Sequence, residues 1–539
     1  NYSTTEKFKH DKVFVHSEEL LFIIDGVILN KTELLQNSNS KNWEEFILNA
    51  YVNNNTTFFT QMRGSFWGVV IDKKNGNVLA YSDHIGTKQL FFASNEDSLV
   101  ISTNSYKLTR HLKGHKSLKP TLNEQGAYFV LDHGYTIEDM TVVSEISRLI
   151  PGHYFIKTEK KEEVKQYYRL KKAVKAISDE EAIEGMDKRF QAAVRRAFEK
   201  DKEYGYRHLV AISGGLDTRM TCYVAHEMGY TDQMNITFSQ TNCLDETIAK
   251  KIASDLKHEW IFKSLDNGIF LKDLDRTTEL TGGNINYFGI AHGTSLLDHL
   301  DFKNFGSLHS GQFGNTVVGT FSGQKTLNDP FVLADIIPSP NCAQYQLKLD
   351  YQDQEIYKSY NRCMIAMNSG LLPTQMKSES VSPFYDLEFW EYCINIPSEQ
   401  REHHRLYRMW INKKYPGAAE YIWEQTRTPL NSKRNIKING NCYSLKQLSG
   451  IFLRKIVGRF SSVQKVGIGS KNHMNPIEYW FSTNPDLVNF YENYVKEHIR
   501  LLDPNPELKK YVESMSVNGK PSDYAKVLTL LSATKMISV

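Results

Sequence analysis

The stretch from residue 208 to residue 264 limits this chain more than any other. "HLVAIS" (208–213) is a short apolar run of strand type, and "DTRMTCYVAHEM" (217–228) has helical spacing closed by Gly229. "QMNITFS" (233–239) is a second strand, "LDETIAKKIASDL" (244–256) a second helix, and "HEWIFKS" (258–264) a third strand. Such an alternation predicts a parallel sheet with right-handed crossovers. Ligands of such sheets sit beyond the carboxyl ends of the strands.

The first of those ends carries "LVAISGGLDTRM" (209–220). A helix start offers main-chain N–H groups and the positive end of the macrodipole. Gly214 and Gly215 let a phosphate approach them closely, and Ser213 and Thr218 add hydroxyl donors. Asp217 repels phosphate unless a cation lies between, and Mg²⁺, held by one or two carboxylates plus phosphate oxygens, is the natural bridge. A tight strand-to-helix turn with Asp217 as a first-turn residue accounts for the same letters. The loop is neither GxxxxGK[ST] nor GxGxxG, which disfavours a P-loop NTPase or a dehydrogenase.

The length, 539 residues, predicts two or more domains. Basic and acidic side chains balance at 65 and 62, so nothing argues for nucleic acid or an anionic membrane surface. No apolar run reaches the roughly 20 residues that span a bilayer. The start, "NYSTTEKFKHDK", is no secretion signal and lacks methionine, so the chain is expected to begin after lost or removed residues. Cys222, Cys243, Cys342, Cys363, Cys393 and Cys442 lack CxxC spacing, which points to a reducing cytoplasm and to neither a cysteine zinc site nor a disulfide framework.

The first third is rich in β signals. Strands are predicted within 12–30 and 62–104, with a hairpin turn at "KKNG", and again at 145–158 and 164–170; "QNSNSKN" (36–42) is a polar loop and 157–165 a solvated turn. A helical pattern runs over 179–200, which places a boundary near 172–178 and gives domains of 1–172 and 178–539. Residues 340–539 read as mostly helical, and no internal repeat is present.

SGGLDT resembles the pyrophosphate loop of N-type (PP-loop) ATP pyrophosphatases, and the chain resembles their asparagine synthetase branch. The resemblance runs through "RGSFWGVVIDKKNGNVLAYSDHIGTKQLFFA" (63–93), "RLIPGHYFIK" (148–157), "DETIAKKIASDLKHEW" (245–260), "SGQFGNTVVGTF" (310–321) and "PFYDLEFWEYCINIPSEQR" (383–401). It implies an α/β chain: an Ntn-hydrolase-like α+β sandwich of the glutaminase type, followed by an ATP pyrophosphatase domain with a parallel sheet and a helical C-terminal part. It also implies a nucleotide site drawn from Ser213, Gly214, Gly215, Leu216, Asp217, Thr218, Phe238, Ser239, Gly311 and Asp386, with Mg²⁺ on Asp217 and Asn315 and catalytic contributions from Gln312 and Arg427.

The departures from that family are as telling. Glutaminase members use a first-residue cysteine, whereas this chain starts at Asn1 and has no cysteine before Cys222. In "IIDGVILN" (23–30) Asp25 and Val27 stand at the family's asparagine and glutamate, and Arg63 falls where an acid is usual, so glutamine is not expected to be hydrolysed. Gln312 replaces a glutamate or tyrosine and cannot act as a base, while Asn315 and Thr316 replace two acids. The family's late-loop lysine is missing from "QTRTPLNSKR" (425–434), where Arg427 and Lys433 are the nearest cations and either also reads as a solvent-exposed loop charge. Asp245 and Glu246 either complement a helix dipole or join the site, Asp386 matches the family's acid after PFL and either binds or does not, and Glu391, His258 and His309 read as structural.

Three functions remain open at this point. One is an AMP-forming amide ligase that adenylates a small-molecule carboxylate with ATP and Mg²⁺ and couples it to an amine or ammonia. Another is an impaired ATP-binding paralogue that acts as a regulatory partner, as a homodimer or beside another enzyme of its pathway. The third is other adenylate chemistry, which balanced charge and the lack of paired cysteines disfavour. The discriminating question is whether Asp386, Asp245 or Glu246 replaces the acid lost at Asn315.

Overall fold

The computed structural model describes residues 2, 4–319, 330–332, 347, 349–432, 435–438, 441–444 and 469–538, the last two short stretches before 469 by backbone alone. Its first part is built on β1 (Val13–His16), β2 (Leu20–Ile28), β3 (Gly64–Asp72), β4 (Asn77–Ser82), β5 (Phe91–Ser94), β6 (Leu99–Ser102), β7 (Ser147–Arg148), β8 (His153–Lys157) and β9 (Glu162–Gln166). These form a six-stranded sheet, β1-β2-β3-β4-β8-β9, and a three-stranded sheet, β6-β5-β7, with every pairing antiparallel.

Period-two alternation decides what lies on each face. Phe66 and Val70 of β3 join Phe22, Ile24, Leu79 and Tyr81 under Trp43, Ile47 and Phe59. Val69 faces the other way, with Ala80 and Phe155, onto Phe92, Leu99 and Ile101 of the smaller sheet. The two sheets therefore stack as a sandwich. Where β2 and β3 cross most closely both strands carry glycine: a Cβ on Gly26 would lie 2.1 Å from the Ser65 carbonyl oxygen, and one on Gly64 equally close to that of Val27.

The expected hairpin at 73–76 forms between β3 and β4. The strand expected over 145–158 is broken into β7 and β8, because Pro151 cannot donate to a ladder and Gly152 turns the chain at φ 74°. The strand expected at 164–170 ends at Gln166, and Tyr168 turns inward to donate to Glu391 at 2.9 Å. The polar loop at 36–42 is flanked by two helices, Lys31–Gln36 and Trp43–Asn54, that the sequence reading did not anticipate.

The second part opens with α1 (Asp179–Glu203), whose start is fixed by a capping box between Ser178 and Glu181 and whose apolar stripe includes Ile183, Met186, Phe190, Val194 and Phe198. Then follow β10 (Arg207–Ala211), α2 (Leu216–Glu227), β11 (Gln233–Ser239), α3 (Leu244–Asp255), β12 (Glu259–Ser264), β13 (Phe305–His309) and β14 (Ser380–Val381). The sheet is parallel throughout, in the order β12-β11-β10-β13-β14. Successive strands step outward one way from β10 to β12, and the chain then returns to lay β13 on β10's other edge. In sheets of this order the ligand crevice lies between the loops that follow the two strands flanking the reversal, here β10 and β13. The remainder is mostly helical, interrupted by small hairpins such as Ile422–Trp423 with Thr428–Pro429. Among the described residues no helix is long and apolar enough to cross a membrane.

The two parts share core. Leu108, Leu112 and Val130 of the first pack on Ala533 and Met536 of the C-terminal helix Pro521–Ser538. A buried ionic knot adds to this. Asp11, 0 % exposed, accepts from the Ile28 N–H (2.8 Å) and from Tyr204 Oη (2.7 Å), and pairs with Lys31 (2.7 Å) and with Lys200 of α1 (2.9 Å). Removing the carboxylate leaves two buried ammonium groups with Glu203, 2.9 Å from each, as their remaining shared carboxylate. Asp11→Ala is expected to cost about 3–5 kcal/mol in urea unfolding; a loss below about 1 kcal/mol would show that the knot is not a structural joint.

Candidate functional site

The loops after β10 and β13 meet as their topology requires, and two glycines make the meeting possible. A Cβ on Gly314 would lie 2.3 Å from Asp217 Cγ, and one on Gly311 2.3 Å from the Thr218 nitrogen. The loop 310–314 is thereby pressed against the first turn of α2. Asp217 Oδ2 accepts from the Asn315 N–H at 2.8 Å and Oδ1 from Tyr407 Oη at 3.1 Å. Burial pushes the Asp217 carboxyl up to about 7, against the pull of those two hydrogen bonds.

The glycine loop is not bare, which corrects the expectation of main-chain amides awaiting a ligand. The Ser213 N–H donates to Thr218 Oγ1 at 3.0 Å, the Gly214 N–H to Asp245 Oδ1 at 3.1 Å, and the Gly215 N–H to Ser213 Oγ at 3.2 Å. Gly214 and Leu216 are buried; Ser213, Gly215, Asp217 and Thr218 keep some solvent access. Above the loop lies Glu424, whose Cβ is 3.0 Å from where a Gly214 side chain would begin. Burial, reinforced by the charge of Asp245, raises Glu424 to about 7, and Asp217 adds to that repulsion. Asp245 is itself raised by burial. Arg219, fully buried, ties the layers together: it donates to the Gly214 carbonyl at 3.2 Å and, from the other side, to those of Tyr421 (3.1 Å) and Ile422 (2.5 Å).

The other expected site residues fall as follows. Ser239 is buried with its hydroxyl on the Gln240 carbonyl at 3.1 Å, and Phe238 stacks on His292 at 4.8 Å. Asn315 contributes its N–H to Asp217, while its side-chain oxygen faces His404 Nε2 at 3.2 Å. Gln312 donates to the carbonyl of Met367 (3.0 Å) and to Asn368 Oδ1 (3.3 Å). Glu246 accepts from the Asn242 N–H. Asp386 is a correction. It caps the helix Leu387–Ile394 and pairs with Arg196 at 2.6 Å, and it lines a small pocket with Arg63 and His84 of the first part. Arg427 is exposed in a left-handed turn, its N–H on the Trp423 carbonyl at 2.7 Å, and it is Glu424 of the same turn that reaches the loop. Lys433 lies outside the described residues, as does residue 320 onward of the "SGQFGNTVVGTF" segment. Glu424, Tyr407 and Arg219 were not anticipated. The first two reach the loop from roughly 200 residues away, and no local pattern marks them.

In the first part, Val27 is 0 % exposed, so the position that the resemblance matches to a gripping glutamate is an apolar wall. Asp25 accepts from Thr4 Oγ1 at 2.8 Å and pairs with Lys12 at 3.2 Å. Arg63 bonds the carbonyls of Thr60 and Met62, both at 3.1 Å.

The family comparison bears on this part. The family whose profile matches is the glutamine amidotransferase domain, over residues 11–168. A 179-residue stretch is 27 % identical to Amidase chyE of Penicillium rubens and 25 % identical to Amidase chry2 of Gibberella zeae, covering 32 % of this chain and 25 % of each of those proteins. The chain thus matches about a quarter of the length of these relatives. Among solved structures, glutamine phosphoribosylpyrophosphate amidotransferase of B. subtilis, complexed with ADP and GMP, is 10 % identical over 49 % of each chain. Its TM-score of 0.19 carries no argument. The profile supports amide-related ancestry for residues 11–168 and leaves the second part to its own geometry.

A raised carboxyl leaves a signature in stability. An unfolded aspartate ionises near pH 4, whereas Asp217 in the fold keeps its proton to about pH 7. Between these values the folded state binds more protons, so stability falls as pH rises through the window. Asp217→Asn in EDTA is expected to change Tm least at pH 4 and to raise it progressively, by several degrees, as pH rises to 8. An equal offset at both pH values would contradict the raised carboxyl.

Proposed function

We propose that the chain is an ATP-dependent, AMP-forming amide ligase that does not hydrolyse glutamine. One observation carries the reading: Asp217, Asp245 and Glu424 converge on the glycine loop at the switch point of a parallel sheet. The amide at Asn315 removed one acid from the expected metal site, and Asp245 and Glu424 supply oxygen donors of the kind a hard cation takes. Three carboxylates around a helix start also disfavour a naked phosphate, so the nucleotide is taken as its magnesium complex. When bound, Mg²⁺ supplies neutralisation of phosphate charge.

The residues of this chain do the remaining work. Ser213 and Thr218, whose hydroxyls lie 3.0 Å apart, would donate to phosphate oxygens, and Asp245, which accepts from the Gly214 N–H, would be among the carboxylates that hold the cation. The substrate carboxylate attacks the α-phosphorus, pyrophosphate leaves, and the amine then attacks the acyl carbon and expels AMP. Gln312 orients the acyl group through hydrogen bonds and takes no proton, so the amine must arrive unprotonated. The buried Val27 and the engaged Arg63 and Asp25 support the absence of glutamine hydrolysis. The amine is therefore free ammonia, the amine of a second substrate, or one within the acyl substrate itself, in which case the chain is a cyclase.

A second reading, an impaired ATP-binding partner protein, is favoured by the internally satisfied amides of residues 213–215. The two separate in one assay. ATP–pyrophosphate exchange across a panel of carboxylates should appear in the wild type and fall at least about 100-fold in Asp217→Ala and in Glu424→Ala. ATP·Mg²⁺ that raises Tm without exchange would replace the ligase by the partner protein, and neither effect would remove the nucleotide altogether. Glutamine should release no glutamate above the buffer control; release would sink the inactive-glutaminase claim.

A further inference from the structure

Away from the crevice floor, three chemistry-bearing side chains are packed into one fully buried point. Asp201, near the end of α1, is 0 % exposed, as is His309 at the end of β13, and His208 of β10 is 4 % exposed. One carboxylate oxygen, Oδ2, lies 3.0 Å from His208 Nδ1 and 2.7 Å from His309 Nε2, and one ligand atom from each of the three residues falls within 4.8 Å of the others. The second oxygen, Oδ1, accepts from the Ser307 N–H at 2.9 Å. A Cβ on Gly306 would strike Oδ1 at 2.0 Å, so the strand is kept bare there to admit the carboxylate.

The electrostatics of this point are incomplete. Among the described residues, the ion-pair partners of Asp201 are the two rings alone. Lys7, the ammonium whose charge reaches Asp201, has its hydrogen bonds on the carbonyls of Phe302 (2.5 Å), Lys303 (3.0 Å) and Phe305 (2.7 Å). Buried charges are normally paired or bound to metal. Two further atoms stand unused: Ser307 Oγ and His309 Nδ1 are buried without a hydrogen-bond partner. Ser307 precedes His309 by two residues on β13 and so shares its face of the strand.

We propose that Asp201, His208 and His309 form a structural site for a divalent transition metal of the zinc class, with the Ser307 hydroxyl beside the fourth position. Two imidazoles and one carboxylate are a zinc-type donor set, too nitrogen-rich for Mg²⁺ or Ca²⁺. Bonds of about 2.0–2.2 Å in a tetrahedron place ligand atoms roughly 3.3 Å apart. The 2.7 and 3.0 Å separations therefore need to open by only a few tenths of an ångström. With no path from solvent, the ion is taken up as the chain folds. It joins α1 to β10 and β13, the two strands that flank the crevice, and His309 directly precedes the loop 310–314 that presses on Asp217. The site is independent of the ligase reading.

The test uses the full chain, free of polyhistidine tags and purified without chelator. Elemental analysis should find about one zinc per chain, and prolonged treatment with a strong chelator should lower Tm, with recovery on adding Zn²⁺. Asp201→Asn and His208→Gln, which keep shape and hydrogen bonding, should reduce the metal at least about tenfold while circular dichroism is retained. Should either variant fail to fold, X-ray absorption of the wild type decides: two imidazoles and no sulfur in the shell support the site, and sulfur ligation overturns it. Metal far below one equivalent with no Tm response to chelator or Zn²⁺ overturns it too, as does stoichiometric zinc persisting in the folded variants.

Discussion

Everything around the crevice depends on the absence of two side chains. Gly311 and Gly314 let the loop after β13 lie directly on the first turn of α2, at distances no Cβ would permit. That contact buries Asp217 between a main-chain N–H and the Tyr407 hydroxyl and raises its proton affinity. It also places the loop after β10 and the loop after β13 side by side, which the strand order requires but does not by itself make close. Larger residues at 311 or 314 would keep the sheet and lose the crevice floor.

The same closeness explains why the site collects acids. Asp245 accepts from the Gly214 N–H, and Glu424 lies over the same loop. Desolvation raises the proton affinity of Asp217 and of Glu424, and at Glu424 the charges of Asp245 and Asp217 add to it. Under the ligase proposal this concentration of carboxyl groups is what a bound divalent cation would compensate.

The sheet was legible from residues 208–264 because each period switch there is driven by local burial, and observed bounds differ from expected ones by a residue or two. The break at Pro151 and Gly152 was legible in principle, since those two residues carry it. The site was legible only in its near half. Ser213–Thr218 announce themselves by spacing, whereas Glu424 and Tyr407 are brought in by the packing of a distant hairpin and helix. Asp386 was misplaced for the complementary reason: an aspartate after "PFY" has a local role, capping the next helix, that satisfies it before any ligand can. Histidines were hardest. His208 and His309 sit on different strands, and only the β10–β13 pairing, with α1 laid across it, reveals that they share one carboxylate.

A first part that only covered the second would be free to drift. It has a tighter connection. Gln312, in the loop that presses on Asp217, donates to Asn368, and Asn368 Nδ2 donates in turn to the Ile85 carbonyl at 2.7 Å. Ile85 belongs to the turn organised by the buried Asp83, whose carboxylate accepts from the Thr87 hydroxyl (2.6 Å) and from main-chain N–H groups on both sides. Gln375 reaches the Thr87 carbonyl at 2.8 Å from the same region of the second part. The turn at 83–88 therefore acts as a rigid stop behind Gln312, and the amidotransferase-type part persists as the wall against which the crevice is set.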